Sequence, residues 1–348
     1  MPPRKKTKLS KAEASLDGEE TQERERYQFP TVRPGQPLVD SYTFHSDAAT
    51  RPEEPDEWML GVDEAGRGPA LGPQVYGVSY CKVSYAEELA GLGFFDSKTL
   101  TDPIREELFK SIIEHEREVK YSVTVMSPHD ISVGMLRRIP YNLNAQSHDC
   151  TINLIREVVD KGYNVKQCFV DTVGPAQDYQ AKLSSLFPTI SFTVCSKADA
   201  LFPIVSAASI VAKITRDRIL EDWTFLEPRV PRLALREAQV GEKREADEDG
   251  VEADAEPEDE RRLFGSGYPS DPKTVAWLES NFDPVFGFPN VARFSWAPVK
   301  NALIKKGVHS KWSDEAATIQ KFFSGDDKGA VERTALWKDL HLVSVAEF

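Results

Sequence analysis

Read for the spacing of its apolar positions, the chain alternates short β-branched runs with helical stretches from residue 58 onward and shows little pattern before it. Met59, Leu60 and Val62, bounded by turn residues, predict a buried strand. Gln74 to Cys81 predicts a second strand, and too few residues separate the two for a helical crossover, so they pair antiparallel. Val119 to Val125 alternates as a third strand, and Val165 to Val170 and Ile190 to Cys195 supply two more. Thr101-Asp102-Pro103 caps a helix over Ile104 to His115, with Pro103 in its first turn. Ser127 to Pro140 reads as a loop with a short helix, and Asn142 to Lys161 as a helix stopped by Gly162. Further helices pass through Leu183 and Leu186, over Phe202 to Trp223, and across Thr274 to Asn281. In the long one, Ser206-Ala207-Ala208-Ser209 lets the helix lie close against its neighbours. This alternation predicts an α/β fold with parallel strands joined by helices.

Residues 1 to about 55 are rich in Pro, Ser, Thr and charge, and predict a disordered tail. Within it, Pro3-Arg4-Lys5-Lys6-Thr7-Lys8 reads as a nuclear-import signal or as a solvated basic tail. The stretch from about 236 to 262 is acidic and of low complexity, and predicts a disordered insertion in a domain spanning 56 to 300. Residues 301 to 348 form a weakly patterned C-terminal extension, expected to be helical. The charge distribution changes what the net of -13 means: residues 242 to 260 hold 11 acids and 2 bases, leaving -4 for everything else. The folded part is therefore near neutrality, and local basic patches remain able to follow phosphates. No apolar stretch approaches the ~20 residues of a membrane span and the polar N-terminus lacks a signal-peptide core, so an intracellular, non-membrane protein is expected. Cys81, Cys150, Cys168 and Cys195 are scattered without a C-x-x-C pair and are expected to be reduced thiols.

Two adjacent acids, Asp63 and Glu64, end the first strand and run into a glycine-punctuated basic turn, Gly66-Arg67-Gly68. Neighbouring side chains on a regular strand point to opposite faces, so the two acids converge only if the strand stops or bends between them. Gly66 and Gly68 are placed to bend it. A dinucleotide fingerprint would need a third glycine where Leu71 stands, and a P-loop would need a closing Gly-Lys-Ser/Thr, so neither motif fits. Asp171 follows a predicted strand and Asp199 sits at a strand-to-helix junction, positions that line the ligand-binding edge of an α/β sheet. Either is equally able to cap the turn or helix that follows it. Were the four acids to meet, their mutual repulsion would call for hard divalent cations with oxygen ligands. Two such ions roughly 3.5–4 Å apart would activate water against a phosphodiester.

Gly61-Val-Asp-Glu-Ala-Gly-Arg-Gly-Pro69, Asp96-Ser-Lys-Thr-Leu100, Tyr141-Asn-Leu-Asn144, Val170-Asp-Thr-Val-Gly174, Lys197-Ala-Asp-Ala200 with Ser206 to Asp217, and Gly265-Ser-Gly-Tyr-Pro269 occur in that order. Together they resemble the ordered motifs of the ribonuclease HII family, and within it the catalytic A subunits of the eukaryotic enzymes, from about residue 58 to 300. The resemblance implies a ribonuclease H-like core with a mixed five-stranded sheet flanked by helices, and dependence on Mg²⁺ or Mn²⁺. It implies endonucleolytic cutting of the RNA strand of RNA/DNA hybrids and 5′ of single ribonucleotides in duplex DNA, leaving 3′-hydroxyl and 5′-phosphate ends. It implies a heterotrimer with non-catalytic B and C subunits.

Residue by residue, the family's catalytic metal ligands match Asp63, Glu64, Asp171 and Asp199. Its Gly-Arg-Gly turn matches Gly66, Arg67 and Gly68, whose backbone reads the ribose 2′-hydroxyl, the group that separates RNA from DNA. Its tyrosine matches Tyr268, which would bond near that hydroxyl and stack on the following deoxyribose. Lys98 and Asn142 fall on positions that hold backbone phosphates, and Arg216 on the basic end of the long helix, also read as a substrate contact. Lys197, Lys213 and Arg218 read as a solvated face, and His148, lacking a partner histidine, has no ligand role. Two features depart from the pattern: the acidic insertion, and a tail in which Ile319-Gln-Lys-Phe322-Phe323 is reminiscent of a sliding-clamp-binding box with Ala316 where glutamine is expected.

Overall fold

The computed structural model describes residues 27–47, 56–94, 100–172, 174–227 and 264–309. The apolar runs fold into one mixed sheet of strands β1 (Tyr42–His45), β2 (Glu57–Ala65), β3 (Gln74–Lys82), β4 (Val119–Met126), β5 (Asn164–Asp171) and β6 (Ser191–Cys195). Their order across the sheet is β1-β4-β3-β2-β5-β6. The short β2-β3 connection gives the antiparallel pair it requires, and β4 pairs antiparallel with β3. β5 and β6, reached through helices, run parallel to β2 and to each other. Around the sheet lie α1 (Ala86–Gly91), α2 (Asp102–Glu114), α3 (Pro128–Leu136), α4 (Leu143–Asp160), α5 (Ala176–Leu186), α6 (Pro203–Glu221), α7 (Pro272–Ser280) and α8 (Ala297–Lys306).

The sheet has six strands where five were expected. The sixth, β1, arises inside the segment read as a disordered tail. Its four residues, Tyr-Thr-Phe-His, do alternate, with Tyr42 and Phe44 packed against the core, but so short a run does not stand out within a polar segment. Tertiary contacts hold it instead. Phe29 is buried and stacks on Phe109 of α2 with ring centroids 4.8 Å apart. Thr31 shares a 2.8 Å hydroxyl bond with Thr215 of α6, and the Asp130 carboxylate on α3 accepts from the Ser41 amide and hydroxyl at 2.8 and 2.6 Å. The nuclear-import run, the acidic insertion and the clamp-like tail lie outside the described residues, as do Lys98 and most of the C-terminal extension, of which α8 is the described helix. All four cysteines are free thiols.

Two hydrophobic layers sandwich the sheet. Met59, Val75 and Val123 pack with Phe109 and Ile112 of α2 and with Ile204, Ala207 and Val211 of α6. On the other face Leu60, Val62 and Val78 pack with Ile152 and Ile155 of α4 and Tyr179 and Leu183 of α5. The small-residue stretch of α6 does bring backbones together: a Cβ at Gly61 of β2 would sit 2.4 Å from the Ile204 carbonyl oxygen, and one at Gly77 of β3 2.6 Å from that of Ala208. Neither neighbour is a flexible side chain. Gly61→Ala is therefore expected to destabilise the fold by about 2–3 kcal/mol or more, read as a lower urea midpoint at unchanged slope.

Candidate functional site

β2 and β5 end side by side. Val62 pairs with Val170, so one residue later Asp63 and Asp171 stand on neighbouring strands. Both valines face the α4-α5 layer, which turns both aspartates toward α6. The turn Ala198–Ala200 before α6 brings Asp199, which is buried, to the same side, and its Ala198 amide donates to Asp171 Oδ1 at 3.2 Å. Lys197, preceding that turn, takes φ 60°, a left-handed conformation uncommon for a side-chain-bearing residue.

Glu64 does not join them by a bend. β2 runs unbroken through Ala65, with Asp63 opposite Gly77 and Glu64 opposite Tyr76. The break comes after the acids, at Gly66 with φ 81°. Glu64 therefore lies on the opposite face and meets Asp171 around the end of the sheet, where both line a cleft of about 320 Å³ with Asp63, Arg67, Tyr76, Ser147 and His148.

Burial drives the electrostatics of this edge. Desolvation, reinforced by Asp171 and Asp199 and opposed by a Ser209 hydrogen bond, pushes the Asp63 carboxyl up to about 8. Desolvation also raises Glu64, with Arg67 opposing and Asp171 adding to the shift. Glu64 Oε1 is buried without a hydrogen bond, 3.5 Å from Nη1 of Arg67. Among the described residues, no three His, Cys, Asp or Glu side chains enclose an ion as they stand. Asp63 feels Asp171 and Asp199 while Glu64 feels Asp171, and this all-carboxylate donor set, with the raised carboxyls of Asp63 and Glu64, fits hard cations with oxygen ligands.

The turn after Glu64 is held from behind. Arg293, fully buried, donates from Nε to Gly72 O at 2.8 Å, from Nη1 to Arg67 O at 3.1 Å and from Nη2 to Gly66 O at 2.6 Å. Trp296 Nε1 donates to Gly68 O at 2.9 Å. Three consecutive carbonyls are thus turned inward, and among the described residues the amides of Arg67 and Gly68 meet no protein acceptor. A Cβ at Gly66 would fall 2.2 Å from Arg216 Nε, and one at Gly68 2.9 Å from the Tyr268 ring, so Tyr268 lies directly against the turn, half exposed.

Arg216 corrects the sequence reading. It is not a surface contact at a basic helix end: it is buried, and its guanidinium reaches the carbonyls of Pro73 and Leu71 at 3.3 and 3.4 Å. Arg218 also departs from a solvated face, pairing with Glu106 of α2 and Glu221. Lys213 pairs with Asp217 on its own helix. Asn142 is exposed at the start of α4, where its Oδ1 caps the helix by accepting from the Ala145 amide at 3.0 Å. The Arg67 side chain turns toward α4 and donates to Ser147 Oγ at 2.9 Å and to Asn144 Oδ1. Sequence reasoning missed Arg293. The run Arg293-Phe-Ser-Trp296 was visible, but nothing in it predicts a guanidinium buried among carbonyls of a turn more than two hundred residues away.

A family model described as Ribonuclease HII matches residues 60–225. The A subunit of ribonuclease H2 from Rattus norvegicus is 45% identical over 74% of this chain and 77% of its own, and that from Homo sapiens is 44% identical over 76% and 78%. Among solved structures, the ribonuclease H2 from Pyrococcus horikoshii OT3 is similar at 29% identity, covering 71% of this chain and 98% of that one with a TM-score of 0.51.

Proposed function

Because the chain belongs to the ribonuclease HII family, together with the A subunits of ribonuclease H2, we propose that it is a metal-dependent endoribonuclease that cuts the RNA strand of RNA/DNA hybrids and 5′ of single ribonucleotides in duplex DNA. The observation that carries this reading is the placement of Asp63, whose carboxyl sits desolvated beside Asp171 and Asp199 at the edge of the sheet, against a turn whose carbonyls are tied inward. Asp63, Glu64, Asp171 and Asp199 would hold Mg²⁺ or Mn²⁺, which when bound supplies a nucleophilic water and neutralises charge on the leaving oxygen, giving 3′-hydroxyl and 5′-phosphate ends.

The chain's own groups do the rest. The open amides of Arg67 and Gly68 offer donors to a ribose 2′-hydroxyl, a group DNA lacks, at a turn where only glycine allows this approach. Arg67, braced by Ser147 and Asn144, holds Glu64 by charge and keeps it at the cleft. Tyr268, standing against Gly68, has its ring face available to the sugar following the ribonucleotide. Removing that face by Tyr268→Ala is expected to slow cutting at single ribonucleotides by about tenfold to a hundredfold while sparing long hybrids, as measured by the ratio of initial rates on the two duplexes.

The relatives are named as subunits, which supports a multi-subunit assembly for this chain; its partners in this proposal are non-catalytic B and C subunits. The basic run near the N-terminus supports a nuclear location. The deciding experiment is cleavage of a duplex carrying one ribonucleotide, in Mg²⁺ or Mn²⁺, by the chain alone and co-assembled with its partners; no cut at the ribonucleotide in either form would refute the reading.

A further inference from the structure

The cleft has a second wall that none of the roles above uses. His148 on α4 and Lys182 on α5 line it with Asp63, Glu64, Arg67 and Asp171. The imidazole is fixed by its face and not by its edge: it stacks on Tyr179 with ring centroids 4.0 Å apart and planes within 9°, and Tyr179 is anchored in the core. Neither ring nitrogen makes a hydrogen bond among the described residues. The Lys182 ammonium lies 3.9 Å from Asp149 Oδ1, beyond hydrogen-bond length. Arg67, the remaining cation of the cleft, is already engaged with Ser147, Asn144 and Glu64.

We propose that His148 and Lys182 together seat a backbone phosphate of the bound strand, on the wall that α4 and α5 present to the acids. The inference rests on the nuclease reading for the identity of the strand. Its chemistry is independent of that reading: an open imidazole edge and an under-used ammonium converge on one cavity, and a phosphodiester oxygen accepts from both. Asp178 lines the same cleft, and Asp149, the acid 3.9 Å from the ammonium, does not. His148 and Lys182 are positioning residues.

The test pairs Lys182→Gln and Lys182→Arg with His148→Phe, which keeps the ring stacked on Tyr179 and removes its nitrogens. Steady-state cleavage of a single-ribonucleotide duplex is measured across salt concentrations, alongside equilibrium binding of the all-DNA duplex of the same sequence. Lys182→Gln is expected to raise KM about fivefold or more, to leave kcat within about twofold, and to flatten the salt slope of log binding constant by about one. Lys182→Arg should restore the slope. His148→Phe should raise KM about threefold at unchanged slope, since it removes a neutral donor. Wild-type KM and slope in both Lys182→Gln and His148→Phe would overturn the proposal. If the wild-type protein binds duplex and cuts nothing, the nuclease reading falls, and the binding slope alone still decides the phosphate seat.

Discussion

Asp63→Asn is expected to abolish cleavage while leaving a folded chain that still binds duplex. The loss should be at least about 10³-fold, the equivalent of the several kcal/mol of transition-state charge stabilisation that a bound cation supplies. Asp171→Ala should behave alike, since the two aspartates stand on adjacent parallel strands and face the same layer. Stability separates this outcome from mere damage. Without divalent ions, Asp63 titrates in the folded chain near 8, above its ordinary 3.8, so the folded state holds a proton that the unfolded state releases. The contribution of this group is complete below about pH 4 and fades as the pH rises toward 8. Asn at 63 removes that pH-dependent penalty, so at pH 8 in a chelator the variant should melt no lower than wild type. Mg²⁺ should raise the melting temperature of wild type and leave that of Asp63→Asn nearly unmoved. Retained cleavage by either variant would sink the assignment, and melting curves with and without Mg²⁺ check the folding half of the claim.

Arg293→Met should be nearly as damaging by another route. The guanidinium satisfies the carbonyls of Gly66, Arg67 and Gly72, lies over the Trp296 ring at 4.7 Å, and is desolvated enough that burial, with Arg216 nearby, lowers it to about 9. Methionine fills the space but leaves three carbonyls without donors, at about 1–3 kcal/mol each. Even the low end of that range, about 3 kcal/mol in total, would lower the melting temperature by roughly 10 °C for a domain of this size. The fraction that folds should also cut poorly, because the Gly66–Gly68 turn is no longer held with its amides outward. Arg293→Lys is expected to fail too, since one ammonium cannot reproduce a planar fork reaching three oxygens. Thermal melting together with cleavage by the folded fraction at low temperature checks both halves; a variant that melts and cuts like wild type would remove Arg293 from the turn's support.

The elements legible in the sequence were those whose own side chains report their surroundings. β2, β3 and β4 carry buried apolar runs, and α4 and α6 carry long apolar faces, so each was found within a few residues of its observed bounds. β1 was not, because Tyr42–His45 is only four residues long and is held by pairing with β4 and by the upstream contacts of Phe29, Thr31 and Ser41 with α2, α6 and α3. The acidic edge was legible in part. Asp171 and Asp199 were placed at the ends of elements on spacing and motif, and both lie there. The geometry joining Asp63 to Glu64 was misread: a bend was expected between them, whereas the strand continues and the sheet's end brings them together from opposite faces. Arg216 was misjudged for a related reason. A basic residue late in a helix looks solvated in one dimension, and only the packing of α6 beneath the Gly66–Pro73 loop shows that it points inward.

β1 has a bearing on where this chain tolerates being cut. It occupies the outer hydrogen-bonding side of β4, pairing Tyr42 with Val125 through His45 with Ser122, and it lies upstream of the region matched by the family model, which begins at residue 60. A fragment started at that boundary would keep every acid of the cleft yet bare an eight-residue, valine-rich strand along its whole length. Such a strand is a template for the backbone of another copy. Trimming the protein to its recognisable motifs would thus trade a capped sheet for one prone to aggregation.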